Sequence, residues 1–299
     1  MADGFAPVPN GSLYYEVNGD GPTLVLVHAG IADCRMWDDQ VAAFSRSYQV
    51  VRYDVRNFGR SSIAQEDFAH YEDLHDLLDH LGVDRATVLG VSMGGTLTID
   101  FVLAYPQIVS ALVLVATGPN GYDRWGDEIT KGWAEETAAL EAGDMERAVE
   151  INLRMWVGGP SRSPEEVDSA VRSRVREMLA HNLPREGEGE SQDLEPLAAE
   201  RLGDIEVPAL VIVGDKDAPD IIASSRLLAS EIRGARLEIM SGVAHAPNME
   251  RPEEFNRIVL DFLVRSASAA RRGRRGRNCA RPAIARRPLA ERTTPPSGS

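Results

Sequence analysis

Cysteine is nearly absent: 299 residues contain only Cys34 and Cys279. They lie far apart, one of them in an Arg-rich tail, so neither a disulfide framework nor a cysteine metal site is supported and both read as free thiols. Long apolar runs are missing too. No segment approaches the roughly 20 apolar residues of a membrane span. The opening "MADGFAPVPNG" has neither the basic nor the apolar region of a secretory leader. The chain therefore reads as cytoplasmic, with no membrane partner.

Positive charge is scarce in the body. Ser266 to Ser299 hold nine Arg and one Glu, a balance of +8, so residues 1–265 carry −22 against −14 for the whole. Such a surface repels phosphate backbones, and no nucleic-acid partner is expected for the folded part. The tail, 266–299, lacks an apolar period and is expected to be disordered.

What is present is material for a large core. Hydrophobic residues make up 43% of the chain. Buried-strand patterns appear in "SLYYEVNG", "PTLVLVHA", "YQVVRYDV", "ATVLGVS", "ALVLVAT", "PALVIVG" and "ARLEIMS". Helical spacing falls between them, as in Leu74, Leu77, Leu78 and Leu81 before Gly82, and Phe255, Ile258, Val259 and Phe262 after Pro252. The fold class is α/β with a mostly parallel sheet. Residues 121–200 break the alternation: no clear strand occurs there, and 19 acids meet 9 bases. Within this stretch "SPEEVDSAVRSRVREMLA" opens on Ser163, Pro164 and Glu166 in capping-box spacing and then repeats Val167, Val171, Val175 and Met178. The expected organisation is a core of 1–120 and 201–265, an inserted helical lid of 121–200, and the tail.

One segment carries chemistry. In "LGVSMGGT", Gly90, Gly94 and Gly95 crowd around Ser92 where a strand ends and the helix "GGTLTIDFVLAY" begins. A turn that sharp leaves no room for side chains beside the serine, and it thrusts the hydroxyl out at the C-terminal sheet edge. That is the form of a nucleophile elbow. A serine hydroxyl needs a base, usually an imidazole that a carboxylate orients. Of six histidines, His70, His75 and His80 fall in or beside the helix before the elbow strand, where polar surface positions account for them. His181 belongs to the lid, and His28 is expected to hold its adjacent loop. His245, in "SGVAHAPNMERPEEF", follows the last strand and returns to the sheet edge of Ser92. The acid is sought at the end of an intervening strand. "PALVIVGDKDAPD" offers Asp215, Asp217 and Asp220, whereas "VATGPNG" has none. Asp217 is the choice; Asp215, nearer the strand end, is the alternative.

In this order the motifs "VHAG", "YDVRNFGRS", "GVSMGG", "GDKD" and "AHAPNMERPEEF" resemble the α/β-hydrolase superfamily over about residues 10–265. Within it the chain is similar to small capped esterases, 3-oxoadipate enol-lactonases and cofactor-free haloperoxidase or perhydrolase relatives. The resemblance implies a Ser92, His245, Asp217 triad and an oxyanion hole from the backbone N–H groups of Gly30 and Met93. It also implies a small-molecule ester or lactone substrate and no metal or organic cofactor. Ser92 in place of an aspartate argues against dehalogenase and alkyl-enzyme epoxide hydrolase chemistry. Alternatives on the same triad are enol-lactonase, haloperoxidase, perhydrolase and carbon–carbon bond hydrolase activities, with a non-catalytic binding relative behind them. Two departures stand out: His28-Ala29 replaces His-Gly, and Asn57 replaces the glycine of Asp-x-Arg-Gly. Asp54 and Arg56 are expected to brace their loop as a local ion pair. Ile31, Met36, Trp37, Trp125, Trp133 and Trp156 are the candidate pocket-lining residues.

Overall fold

A computed structural model describes residues 2–185 and 187–278, with side chains described up to 268. Eight strands form one sheet: β1 (Ala2–Val8), β2 (Gly11–Asn18), β3 (Thr23–Val27), β4 (Gln49–Tyr53), β5 (Ala86–Val91), β6 (Val109–Val115), β7 (Ala209–Gly214) and β8 (Arg236–Met240). Their spatial order is β1-β2-β4-β3-β5-β6-β7-β8. Pairing is antiparallel for β1 with β2 and β2 with β4, and parallel from β4 to β8. The helices are α1 (Asp38–Phe44), α2 (His70–His80), α3 (Met93–Ala104), α4 (Asp127–Glu141), α5 (Met145–Asn152), α6 (Ser169–Asn182), α7 (Pro219–Glu231), α8 (Pro247–Glu250) and α9 (Pro252–Asn278).

The central strands read as unbroken apolar runs because both faces of the sheet are covered. Leu24, Leu26, Leu89, Val91 and Val113 enter one core, shared with Phe44 of α1 and with Phe255 and Val259 of α9. Their neighbours Val25, Val27, Val88 and Leu112 enter the other, with Leu74, Leu77 and Phe101 of α2 and α3. That alternation is the period of two of an extended chain, displayed on a sheet with no wet face. Their parallel pairing brings the C-terminal ends of β3, β5, β6, β7 and β8 to one edge.

β1 lies outside the expected strands. Its sequence, ADGFAPV, is poor in β-branched residues, and the hairpin to β2 depends on Pro9 and on Asn10 with φ of +57°. Between β6 and β7 the chain builds α4, α5, a π-helical turn Leu153–Gly158 and α6. The "SPEEVDSAV" start also differs from the expectation. Ser163 caps only a short 3₁₀ turn, Pro164–Glu166, and α6 begins afresh at Ser169 with the Asp168 carboxylate accepting from the Ala170 N–H. Val167, Val171, Val175 and Met178 are nonetheless buried.

The expectation of disorder from 266 onward needs correction for its first part, since α9 continues through Asn278. Alanine and arginine are strong helix formers and extend a helix that Phe255, Val259 and Phe262 have already anchored. Residues 279–299, Cys279 among them, lie outside the described residues. Val264 is exposed, and none of the side chains described after it is buried. Truncation after Arg265 is therefore expected to shift the melting temperature by less than about 2 °C, on the order of 1 kcal/mol for a chain of this size. A larger fall in a thermal melt would show that the tail docks.

Candidate active site

Ser92 sits between β5 and α3 with φ of +53° and ψ of −120°, a conformation that costs a non-glycine residue about 1–3 kcal/mol. The surroundings enforce it. The Ser92 N–H donates to Val115 O at 2.8 Å, and the Thr117 hydroxyl donates to Ser92 O at 2.8 Å. A Cβ on Gly90 would lie 2.2 Å from Gly94 O, and one on Gly94 would lie 2.5 Å from the carbonyl oxygens of Val27 and His28. Both glycines are there for backbone approach.

The segment after β8 brings His245 to the serine. Its Nε2 lies 2.7 Å from Ser92 Oγ, and its Nδ1 lies 2.9 Å from Asp217 Oδ2 and 3.2 Å from Oδ1. Asp217 Oδ1 also accepts the Ala218 N–H at 2.8 Å. Asp217 and His245 are both buried. Trp156 of the π-helical turn lies against the imidazole, ring centroids 4.6 Å apart at 37°, and its carbonyl accepts the His245 N–H. Asp215 points elsewhere. It accepts from the Gly242 N–H at 2.6 Å and the Ser241 hydroxyl at 3.0 Å, tying the ends of β7 and β8 together.

Gly30 and Met93 both border the cavity above Ser92, and a Cβ on Gly30 would stand 3.7 Å from Met93 Cβ. Ala29 does not have a positive φ, so the departure from His-Gly carries no left-handed strain. Asn57 does, at +74°, and asparagine is the residue that best tolerates a glycine's place there. The expected Asp54–Arg56 pair does not form. Arg56 instead pairs with Asp73 of α2, Nε to Oδ2 at 2.7 Å, while Asp54 accepts the Cys34 and Arg60 N–H groups at 2.8 Å each.

His28 holds its loop: Nε2 accepts the Val55 N–H at 2.9 Å and Nδ1 faces Ala29 O at 2.9 Å. Burial pushes its pKa below the ordinary histidine value, which favours this neutral ring. Asp33, Cys34 and Asp54 place three potential ligand atoms within 4.8 Å of one another. Their carboxylates are already committed, Asp33 to Arg35 and Asp54 to the two backbone amides, and burial pushes the Cys34 thiol up, away from the thiolate a metal needs.

The cavity above Ser92 has a volume of about 360 Å³. Ile31, Trp125, Trp133 and Trp156 line it as expected; Trp37 does not. Trp37 and Met36 are fully buried in the core, because the 3₁₀ turn Cys34–Trp37 directs them inward against the sheet. Among the polar lining residues that sequence reasoning missed are Thr117, Asn120, Glu136 and Asn152. The first two follow β6, whose position beside the elbow strand was the available signal. No local pattern marks the others. A larger cavity of about 740 Å³ lies within the cap beyond Trp156, bordered by Glu128, Arg147 and Arg154, and contains none of Ser92, Asp217 and His245. Size alone does not locate the chemistry.

Among known proteins, the chain is 26% identical to 3-oxoadipate enol-lactonase 1 of Acinetobacter baylyi, over 84% of this chain and 93% of that one. It is 29% identical to the 2-hydroxy-6-oxononadienedioate/2-hydroxy-6-oxononatrienedioate hydrolase of Burkholderia vietnamiensis, over 85% and 91%. A crystal structure of a hydrolase from Pseudomonas aeruginosa PA01 superposes with a TM-score of 0.72 at 31% identity, over 87% of this chain and 98% of that one. The family model for the alpha/beta hydrolase fold matches residues 22–252, and the chain belongs to that family.

Proposed function

We propose that the protein hydrolyses small carboxylic esters or lactones through an acyl-serine intermediate, with Ser92 as nucleophile, His245 as general base and acid, and Asp217 as the orienting carboxylate. The observation that carries this reading is the continuous contact from Ser92 Oγ to His245 Nε2 and from His245 Nδ1 to Asp217, beneath a cavity open to a ligand. The chemistry follows from those contacts. Ser92 Oγ attacks the carbonyl carbon as its proton passes to His245 Nε2, and Asp217 stabilises the imidazolium through Nδ1–H. The Gly30 and Met93 N–H groups are assigned to the oxyanion, as fixed dipoles that need no reorganisation as its charge develops. Collapse breaks the C–O bond, and His245 returns its proton to the leaving alcohol, which for a lactone stays on the acyl chain. Water, deprotonated by the same imidazole, then releases the carboxylic acid and restores Ser92.

The lining favours this over cleavage of a dioate, the substrate class in the name of the Burkholderia relative. Among the described residues no Lys or Arg borders the cavity, whereas Glu136 does. Its volume of about 360 Å³ is at the low end for small-ligand sites, roughly 300–1,000 Å³.

The test is kcat/KM across p-nitrophenyl acetate, butyrate, octanoate and palmitate, with a small lactone alongside. Acetate and butyrate are expected to be the best esters, with palmitate lower by more than about tenfold, about 1.4 kcal/mol of lost transition-state binding. A rise toward palmitate would refute the small-pocket reading. Turnover of the lactone alone would assign the activity to lactones.

A further inference from the structure

Glu135 and Glu136 are adjacent on α4 and face different surroundings. Glu135 pairs with Arg154 at 2.6 Å and lies 4.0 Å from Lys131, on the side of the larger cap cavity. Glu136 turns into the cavity over Ser92, where Oε1 accepts the Asn152 amide N–H at 2.6 Å. Among the described residues it forms no ion pair. Asn152 is itself buried and held by Ala148 O, so it fixes the carboxylate in place without neutralising it. A carboxylate fixed in a cavity wall beside aromatic rings, without a cation from the protein, gains most from a cation brought by the ligand.

The walls beside it suit such a ligand. Tyr122, Trp125 and Trp133 meet at steep angles: Tyr122 and Trp125 have centroids 4.8 Å apart at 76°, and Trp125 and Trp133 5.5 Å apart at 72°. Rings in that relation form a corner, which presents π-surface to a ligand from more than one direction. With Trp156 opposite, against His245, four aromatic side chains and one unpaired carboxylate line a cavity of about 360 Å³. Electron-rich ring faces with a nearby anion are the chemistry that recognises alkylammonium groups.

We propose that this cavity selects esters carrying a positively charged alkylammonium group, with Glu136 as the specificity-determining residue and Tyr122, Trp125 and Trp133 as the aromatic wall. The inference rests on the ester-hydrolase reading for its substrate, but not for the binding of the cation.

Two measurements separate the readings. The first compares kcat/KM for acetylcholine and for 3,3-dimethylbutyl acetate, a neutral ester of nearly the same shape in which carbon replaces the quaternary nitrogen. The cationic ester is expected to be favoured by about 3- to 10-fold, the scale of cation recognition by half-exposed aromatic rings with a carboxylate beside them. The ratio is expected to fall close to one in Glu136→Gln, whose amide oxygen still accepts from Asn152, and to fall part of the way in Trp133→Leu, at an exposed position of the cap. The second titrates tetramethylammonium chloride against intrinsic tryptophan fluorescence, which needs no turnover. Saturable binding that weakens about 3- to 10-fold in Glu136→Gln is the expected result. Hydrolysis of both esters with a ratio at or below one would overturn the cation proposal and leave the ester reading intact. Failure to cleave any ester, together with saturable tetramethylammonium binding lost in Glu136→Gln, would support the cation site and overturn the ester reading. Absence of saturable binding in the unaltered protein would overturn the proposal.

Discussion

Ser92→Ala is expected to abolish ester turnover while leaving the fold intact. The loss in kcat should be on the order of 10⁶, the scale found when a catalytic serine is removed from a triad that acts as a unit. Two structural facts separate chemistry from stability in this variant. The strained φ of +53° belongs to the backbone, and alanine keeps the same Cβ, so the elbow holds no more strain than before. The contacts that fix the turn, the Ser92 N–H to Val115 O and the Thr117 hydroxyl to Ser92 O, use no side-chain atom of residue 92. Among the described residues, the one hydrogen bond lost is Oγ to His245 Nε2. Unchanged thermal melting together with lost p-nitrophenyl acetate hydrolysis and lost fluorophosphonate labelling is the expected pattern. An active alanine variant would rule out covalent catalysis by this serine.

How much of this was legible in the sequence follows from what local pattern encodes. Strands covered on both faces become continuous apolar runs, so β3 to β7 were visible; β1, which pairs with β2 alone at the sheet margin, lacked that signature. Chain order led Ser92, a carboxylate and His245 to one sheet edge, and there the three side chains lie in hydrogen-bond contact. Glycines 90 and 94 were readable because close backbone approach leaves a compositional trace. Partner choice leaves none. Arg56 was expected to reach Asp54, two residues away, yet it pairs with Asp73 on α2; the loop's own amides occupy Asp54. Trp37 was expected at the cavity because large aromatics next to a functional loop fit that role equally well, and the direction of one 3₁₀ turn decided against it. Glu136 and Asn152 were invisible for the same reason: their contact spans 16 positions and depends on how α4 packs against α5.

The acid at the end of β7 gives the second large effect and the clearest case of a choice that spacing alone left open. Asp215 and Asp217 are two residues apart in "GDKD", both just past a buried strand, and each makes hydrogen bonds that a turn carboxylate commonly makes. Their partners differ in kind. Asp217 is buried and faces the Nδ1 of His245, so converting it to asparagine replaces an acceptor by an amide that favours the wrong imidazole tautomer; a loss of about 10⁴ in kcat is the reference for that change. Asp215 is exposed and receives only the Gly242 N–H and the Ser241 hydroxyl. Asp215→Asn keeps one acceptor oxygen for those donors and leaves His245 untouched, so its cost in kcat should stay below about tenfold, or about 1.4 kcal/mol. Measuring kcat on p-nitrophenyl acetate for both variants, with circular dichroism to confirm folding, compares them directly. The reverse ranking would move the orienting carboxylate to Asp215 and require the β7–α7 turn to rearrange in the working enzyme, whereas equal small losses would mean that His245 needs no orienting acid.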